Sequence, residues 1–536
     1  MVAPETLRSA LARHALAEIP KLLTLQDRTP ISPTYGCFDR SYWHYRISDF
    51  PSGMSQEFVL PLALVWSLDI PNNPYRGSSA LRDWIEAGIR YAARSSHPDG
   101  SCDDYYPFER ATGAAAFSLF AILEAASIIG CRKDDEIDAF LGRRATWLAS
   151  HRESGELANH EALVVTCLQG MDDRFGTSQF EPALRERLAR LLSWQSSEGW
   201  FSEYGGADPG YLSLTIGLLA DLDRRRPDLE LKAPIERAIR FLSEFVHPDG
   251  TFGGEYTSRA TLNFFPHGFE IAGAWLPDAL AVNDRALRSL AADRGPSYSD
   301  DRIVGHHVWS WLFAWNAFQP KRPVRPEVRS GRRWFPKAAL LVDRRDGLEL
   351  YAALRRGGAF KLFLDGNLLV SDTGPSFRLA KRVAVSHLEG DIPVTPSEDI
   401  FSVEGRMTYA KCTRLTPAKN ILLRLFMLVV GRFFPDLVRR LLQRMLVTGR
   451  AEAPFRFRRT FDMADHGLTV RDEVWCDRDW SEVAQAGIGG FQTSATTVMA
   501  RVFRIEQLQP WLDLSDNLLE LKKGEPLVLD RRFGGS

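Results

Sequence analysis

The sequence predicts an incomplete (α/α) toroid over residues 1–318, a linker over 319–336, and an antiparallel β-sandwich over 337–536 with a helical hairpin inserted at 417–448. Three observations predict it. A unit of helix-like stretch, glycine turn and apolar stretch recurs through the first part. A run rich in proline and arginine, QPKRPVRPEVRSGRRWFP, follows it. Beyond that run the hydrophobic period shortens from that of a helix to that of a strand.

The turn glycines of the repeat are Gly100, Gly155, Gly199, Gly250 and Gly295, about 45 to 55 residues apart. Two of the turns carry the same letters, HPDG at 97–100 and 247–250. Asp-Gly and Glu-Gly are ordinary turn chemistry, because glycine takes positive φ without steric cost. Before each turn the chain mixes apolar and charged residues, as in RRATWLASHR, which suits an outer helix with one wet face. After each turn comes a segment apolar nearly all round: AAAFSLFAILEAASII, EALVVTCLQGM, YLSLTIGLLADL, FEIAGAWLPDAL and VWSWLFAWNAF. Such segments read as buried inner helices. Residues 35–68 supply one further loop and inner helix. Hairpins that bury their faces on one another close into a ring. Every outer-to-inner loop then falls at one end of that ring and faces a common cleft.

In the second part, KAALLVDRR, GLELYAAL, AFKLFLDGNLLVSD and GLTVRDEVW are short β-rich runs, with Asp365-Gly366-Asn367 as a hairpin turn. Their expected arrangement is a two-layer antiparallel sandwich. Residues 421–447, ILLRLFMLVVGRFFPDLVRRLLQRMLV, interrupt it, and Pro435 divides them into two helices. In the second helix Leu437, Val438, Leu441, Leu442, Met445 and Leu446 share one face, and Arg439, Arg440, Gln443 and Arg444 the other. Two readings follow: an insertion packed on the sandwich, or a basic amphipathic hairpin making peripheral contact with an anionic membrane.

Composition removes several function classes. The chain has 536 residues, 45% hydrophobic and 25% charged, with a net charge of −1. That is globular, and it offers no basic field for nucleic acid. Six cysteines lie far apart, without a CxxC pair or Cys/His cluster, so no metal and no disulfide framework is expected. No phosphate loop or GxSxG elbow is present, and no cofactor is expected. No run of 18 apolar residues occurs. Arg8, Arg13, His14 and Glu18 break the N-terminal apolar stretch, so no signal peptide is read and a cytoplasmic location is expected.

The loops are rich in aromatic rings interleaved with Asn, Arg, His and acids. Glu109 and Arg110 stand in the second loop, Asn159 and His160 in the third. Trp200, Glu203, Tyr204 and Tyr211 follow in the fourth, Tyr256, Arg259 and His267 in the fifth, and His306 in the sixth. Rings stack on pyranose faces and polar groups fix hydroxyls and carboxylates, so the pattern suits an oligosaccharide cleft. Taken singly each has a structural reading as well: Asn159 could cap the helix of EALVVTCL. Their convergence on one rim is what points to a site.

Through these loops the chain resembles the toroid-plus-sandwich polysaccharide lyases: heparinase II/III-like enzymes, chondroitin AC-type lyases and related alginate lyases. The resemblance in organisation covers nearly the whole chain. In that family an Asn or Asn-His pair neutralises a uronate carboxylate, and NHEAL at 159–163 matches. A tyrosine opens the next inner helix, and GWFSEYGGADPGY at 199–211 matches through Tyr211, with Tyr204 as a second candidate. An arginine on the following loop assists, and Arg259 in GGEYTSR fits. The resemblance implies β-elimination at a uronic acid. Asn159 and His160 would hold the carboxylate, Tyr211 or His160 would take the C5 proton, and a tyrosine hydroxyl would protonate the leaving oxygen. Two departures stand out. Glu203-Tyr204 occupies the slot where the family often has His. FLDGNLLVSDTGP at 363–375 lacks the early sheet-domain His of heparinase-like members. Cytoplasmic residence with a membrane-facing hairpin suggests work on glycan made for the cell surface. The competing readings are a glycoside hydrolase on the same toroid, which needs two carboxylates flanking the bond, and a non-catalytic glycan-binding protein of a biosynthetic complex. A terpene cyclase would share the ring, but these loops are too polar for it.

Overall fold

A computed structural model describes the chain except residues 1–2, 132–133, 154, 294–302, 325–328, 389–398, 411–413, 415, 436, 439–440, 442–450, 464–466, 490–507 and 535–536. Residues 4–316 form six helical hairpins. The outer and inner members are Pro4–Leu25 with Val59–Ser67, Ser79–Ser95 with Thr112–Ile128, Asp135–Ser150 with Ala158–Phe175, Glu181–Ser193 with Pro209–Arg225, Lys232–Ser243 with His267–Ala272, and Pro277–Ala291 with Val304–Asn316. Each inner helix packs on the next, and the sixth packs on the first. The second inner helix is buried from Thr112 to Leu123 without a break, as its largely apolar sequence requires. The outer helices bury one stripe, as in Leu81, Ile85, Ile89 and Ala92 of the second. The loop and inner helix read at 35–68 are present.

The fifth hairpin differs from the expectation. FEIAGAWLPDAL reads as one inner helix, but the helix ends at Ala272 and Pro277 opens the next outer helix. Proline has no N–H to donate and its ring clashes inside a helix, whereas at the first turn neither matters. The DRGPSY turn lies mostly outside the described residues.

Part of the stretch read as linker is structured. Residues Gly331–Phe335 form an edge strand, β1, paired with β2 (Leu340–Arg345). Upstream, the Arg322 side chain is largely covered and bound to Glu270 and Asp284, so the chain is pinned as it leaves the ring. The first sheet runs in the order β1, β2, β3 (Leu348–Ala353), β4 (Ala359–Leu364) and β5 (Asn367–Asp372), all antiparallel. The second sheet holds β6 (Pro375–Leu379), β7 (Arg382–Val385), β8 (Ile400–Tyr409), β9 (Glu452–Asp462), β10 (Leu468–Cys476), β11 (Val483–Ile488), β12 (Leu512–Asp513) and β13 (Leu527–Phe533). The β4–β5 hairpin turns at Asp365-Gly366, both at positive φ, as a tight hairpin demands.

The first sheet is the middle layer of three, because strand side chains alternate between faces. Leu340, Val342, Tyr351, Ala353 and Phe363 belong to the toroid core, while Leu341, Leu350, Ala352, Phe360 and Leu362 belong to the core between the sheets. The sheet is thereby locked under the fourth and fifth loops. Arg344 binds Glu244, Lys361 lies 3.8 Å from Glu255, and Arg356 donates to the Ser258 carbonyl.

The insertion begins with helix Pro417–Phe426, N-capped by Thr416, and a π-helical turn at Met427–Gly431. Most of the second helix expected after Pro435 lies outside the described residues.

Candidate functional site

Loops three, four and five meet at one mouth of the ring, and backbone pairing puts them there. Leu157 and Glu203 form an antiparallel bridge, the Ala158 N–H donates to the Ser202 carbonyl (3.2 Å), and the Tyr204 N–H donates to the Glu156 carbonyl (2.8 Å). This stitch lays the Glu203 side chain over the start of the third inner helix. Its Oε1 accepts from the Asn159 backbone N–H at 3.0 Å and from Asn159 Nδ2 at 2.6 Å. Both residues are buried. Asn159 therefore offers its helix-start position not as a capping acceptor but as a pair of donors, and its Oδ1 has no hydrogen-bond partner among the described residues.

The fourth inner helix starts Asp208-Pro209-Gly210-Tyr211. Asp208 is the N-cap and accepts from the Tyr211 N–H at 2.9 Å, with proline at the first helical position. The same carboxylate reaches into loop five, accepting from Thr257 Oγ1 (2.8 Å), Thr261 Oγ1 (2.6 Å) and the Arg259 N–H (3.2 Å). One aspartate thus caps a helix and fixes Arg259 beside it. The Arg259 guanidinium carbon lies 4.5 Å from the Tyr211 ring centre and 4.8 Å from that of Tyr204, a cation held between two phenol faces. Arg259 Nη1 also donates to Glu203 Oε2 at 3.2 Å. Asn159, Glu203, Arg259 and Tyr211 are consequently one contiguous cluster, with Tyr204, 42% exposed, at its outer edge.

His160 adjoins it. Its Nδ1 lies 2.7 Å from Glu153 Oε2. A carboxylate only accepts, so Nδ1 carries the proton, and in the neutral ring Nε2 keeps its lone pair. Gly113, at the start of the second inner helix, makes room for this ring: a Cβ there would stand 2.6 Å from His160 Cε1.

Burial dominates the electrostatics. It lowers the His160 pKa to about 4, against the upward pull of Glu203; Glu153 pulls the same way as Glu203. The imidazole is therefore neutral at pH 7. Burial raises the Tyr211 pKa to about 12 despite the nearby Arg259 cation, so its hydroxyl keeps the proton. Burial also raises Glu203, opposed by Arg259 and by the Asn159 hydrogen bonds. The arrangement thus holds a neutral base, a protonated phenol, a buried cation and an amide donor at one rim.

Other expected residues stand elsewhere. Tyr256 is buried against the first sheet, with its hydroxyl 2.9 Å from His247 Nε2 and its ring beside Tyr351. Trp200 is buried and donates to Glu198. Glu109 accepts the N–H groups of Asp104 and Tyr105, and Arg110 pairs with Asp99, so both shape loop two from within. His306 is buried in the ring, 2.8 Å from Glu57 and stacked on Phe117. His267 bonds Ser310 and faces a cavity lined by Phe120, Glu124, Asp221 and Arg225, near the other ends of the inner helices. In the sheet domain His387 is buried on the Thr373 carbonyl. Glu153 is the residue that the sequence does not point to; Asp208 stands among the polar residues of the fourth loop, without an assigned role. Asp-Pro at a helix start marks Asp208 as a cap. Nothing local marks Glu153. Among the described residues no group of three or more His, Cys, Asp or Glu side chains is placed to hold a metal ion.

No protein-family model matches the sequence, and no curated protein matches it. Structure speaks where sequence does not. The chain superimposes on the chondroitin AC lyase of Streptomyces coelicolor A3, solved in complex with chondroitin sulphate. The TM-score is 0.57 at 10% identity, over 98% of this chain and 79% of that one. The fold is that of a chondroitin AC lyase. A mutant of the same enzyme aligns over 100% of this chain and 83% of its own, with a TM-score of 0.53 and 10% identity. The heparan sulfate lyase HepC of Pedobacter heparinus gives 0.39 at 11% identity, over 89% and 70%. For the two chondroitin AC lyase structures the likeness is one of fold, and it matches the toroid-plus-sandwich organisation that the resemblance implies.

Proposed function

We propose that the protein cleaves a uronate-containing glycan by β-elimination. The observation that carries this reading is the cluster itself: Arg259 between Tyr211 and Tyr204, joined through Glu203 to Asn159 and flanked by a neutral His160. Arg259 has donors to spare beyond the one given to Glu203, and Asn159 Nδ2 has a second N–H. Together they can bind the uronate carboxylate and stabilise the charge that develops on it as the C5 proton leaves. His160 Nε2 takes that proton, with Glu153 orienting the ring and supporting the imidazolium. The C5–H electron pair becomes the C4–C5 double bond as the C4–O bond breaks. Tyr211 gives its proton to the departing oxygen. Tyr204, exposed at the edge, is placed to stack on a sugar ring.

Hydrolysis is the second reading, and the buried, upshifted Glu203 carboxyl favours it, as a general acid would need. The product separates the two, since elimination leaves an unsaturated uronate that absorbs in the ultraviolet and hydrolysis does not. The test is a panel of uronate polymers followed by ultraviolet absorbance. On the polymer that is cleaved, Tyr211→Phe should lower kcat by roughly 10²–10⁴-fold while the unfolding midpoint stays where it was. Turnover by Tyr211→Phe at the wild-type rate, or cleavage without an ultraviolet-absorbing product, refutes the elimination.

A further inference from the structure

The sheet-domain insertion carries an apolar surface that is exposed among the described residues. Its helix and π-turn bury Met427 and Gly431 toward the body, and Val438 follows them inward. On the other side Ile421, Leu425, Val429 and Phe433 recur every fourth residue, and each is more than half exposed, at 63%, 55%, 68% and 68%. Single exposed apolar side chains are ordinary, but a contiguous stripe of large ones marks a contact surface. The charges along this stretch of sequence are nearly all of one sign. From 411 to 450 the sequence contains nine Lys and Arg and one acid, Asp436. Lys419 and Arg432 are exposed beside the stripe.

The insertion is also tied to the ring. Arg424 Nη2 lies 3.1 Å from Asp49 Oδ1, and its guanidinium sits 5.3 Å from the Phe50 ring centre. Leu428 lines a recess with Phe50, Pro51, His97 and Phe108. Those residues belong to loops one and two, on the same mouth of the toroid as Asn159, Tyr211 and Arg259. The stripe is therefore held at the cleft side of the molecule.

We propose that this stripe rests on an anionic membrane surface, with its apolar side chains in the acyl boundary and its cations among the headgroups. Both halves of the pattern fit that occupant. An amphipathic helix with large apolar groups and a lysine- and arginine-rich flank lies in the interfacial plane, and each cation adds attraction to acidic lipid. A protein partner would have to supply acids matched one by one to the exposed cations Arg414, Lys419 and Arg432, whereas an acidic bilayer offers charge everywhere. No helix among the described residues is long and apolar enough to cross a membrane. Docking sets the mouth of the ring beside the headgroups, so that the glycan entering the cleft is one carried at the membrane surface, a consequence that rests on the elimination proposed above.

The test uses the full chain and vesicles of phosphatidylcholine, with and without about one quarter phosphatidylglycerol. The wild type should float with the anionic vesicles at least tenfold more than with the neutral ones, and less in about 0.5 M salt, where screening shortens the reach of charge. Leu425→Glu with Val429→Glu should cut flotation tenfold or more while leaving the unfolding midpoint and the turnover of soluble oligosaccharide unchanged. Lys419→Glu with Arg432→Glu should weaken binding to the anionic vesicles only. The proposal is overturned if the wild type does not float with anionic vesicles, or if the apolar double variant floats like the wild type. It is equally overturned if light scattering shows a dimer that the same variant splits and no vesicle binding occurs. None of these results bears on elimination measured in solution, so the two proposals fail separately.

Discussion

Glu203→Ala perturbs the centre of the cluster. Glu203 accepts three hydrogen bonds, from the Asn159 backbone and amide and from Arg259 Nη1. Truncation leaves the guanidinium, whose side chain is only 9% exposed, without its acid, and removing one partner of a buried pair costs about 3–5 kcal/mol. Two Asn159 donors also lose their acceptor, at about 1–3 kcal/mol for an unsatisfied buried group. These terms share one side chain and do not simply add, so a loss of about 4–6 kcal/mol is expected. Urea denaturation followed by tryptophan fluorescence measures it. Glu203→Gln provides the control, since its carbonyl still accepts from Asn159 and only the charge is removed. The pH dependence adds a second check. Burial raises the Glu203 pKa above its ordinary value of 4.5, so the folded protein binds a proton that the unfolded chain has released. Wild-type stability therefore falls as pH rises through the window that begins at 4.5, and Glu203→Gln lacks that fall. A Glu203→Ala variant within about 0.5 kcal/mol of wild type, or identical pH dependence in wild type and Glu203→Gln, would refute the assignment of Glu203 as the buried tie between Asn159 and Arg259.

Two further outcomes follow from the same geometry. Glu153→Gln should keep His160 in place by hydrogen bonding but remove the charge that supports its protonated form. The expected result is a kcat lower by about tenfold or more, with the acidic limb of the pH–rate profile moved to lower pH and KM little changed, measured by ultraviolet product absorbance. In the sandwich, buried Arg459 bonds both Asp472 and Asp372, and Arg531 joins the same two carboxylates. Arg459→Met should destabilise the protein by about 3–5 kcal/mol in chemical denaturation. Burial works against ionisation of Asp372, but Arg459 and Arg531 outweigh it and hold its pKa below the carboxylate range. That stabilisation is present above an ordinary carboxylate pKa and disappears as pH falls toward the depressed one. The wild type should therefore lose melting temperature below about pH 4, and Arg459→Met should lose less.

The secondary structure was written in local patterns. The run at 112–123, apolar but for Thr112 and Ser118, reads as an inner helix, because none of its faces is polar enough to meet water. Asp365-Gly366 can only be a tight turn, because its backbone needs positive φ. The repeat of these units predicts a ring, and a ring predicts that the loops share a mouth. Local pattern misled where a single residue governs a boundary, as at Pro277, or where pairing partners are distant, as for β1, whose proline- and arginine-rich surroundings read as linker.

Within the site, sequence named Asn159, His160, Tyr211, Arg259, Glu203 and Tyr204, and these come together. It could not tell them from Tyr256, His267 or His306, which carry the same functional groups but are bonded to His247, Ser310 and Glu57, outside this cluster. Polarity, spacing and turn chemistry are properties of neighbours along the chain, and those the sequence determined alone. Which carboxylate meets which cation and which amide at this rim depends on contacts between residues 40 to 60 positions apart, such as Asn159 with Glu203 and Arg259 with Glu203. Only the closed ring, which brings three loops to one rim, decided them, and the same closure supplies the burial that leaves His160 neutral and Tyr211 protonated.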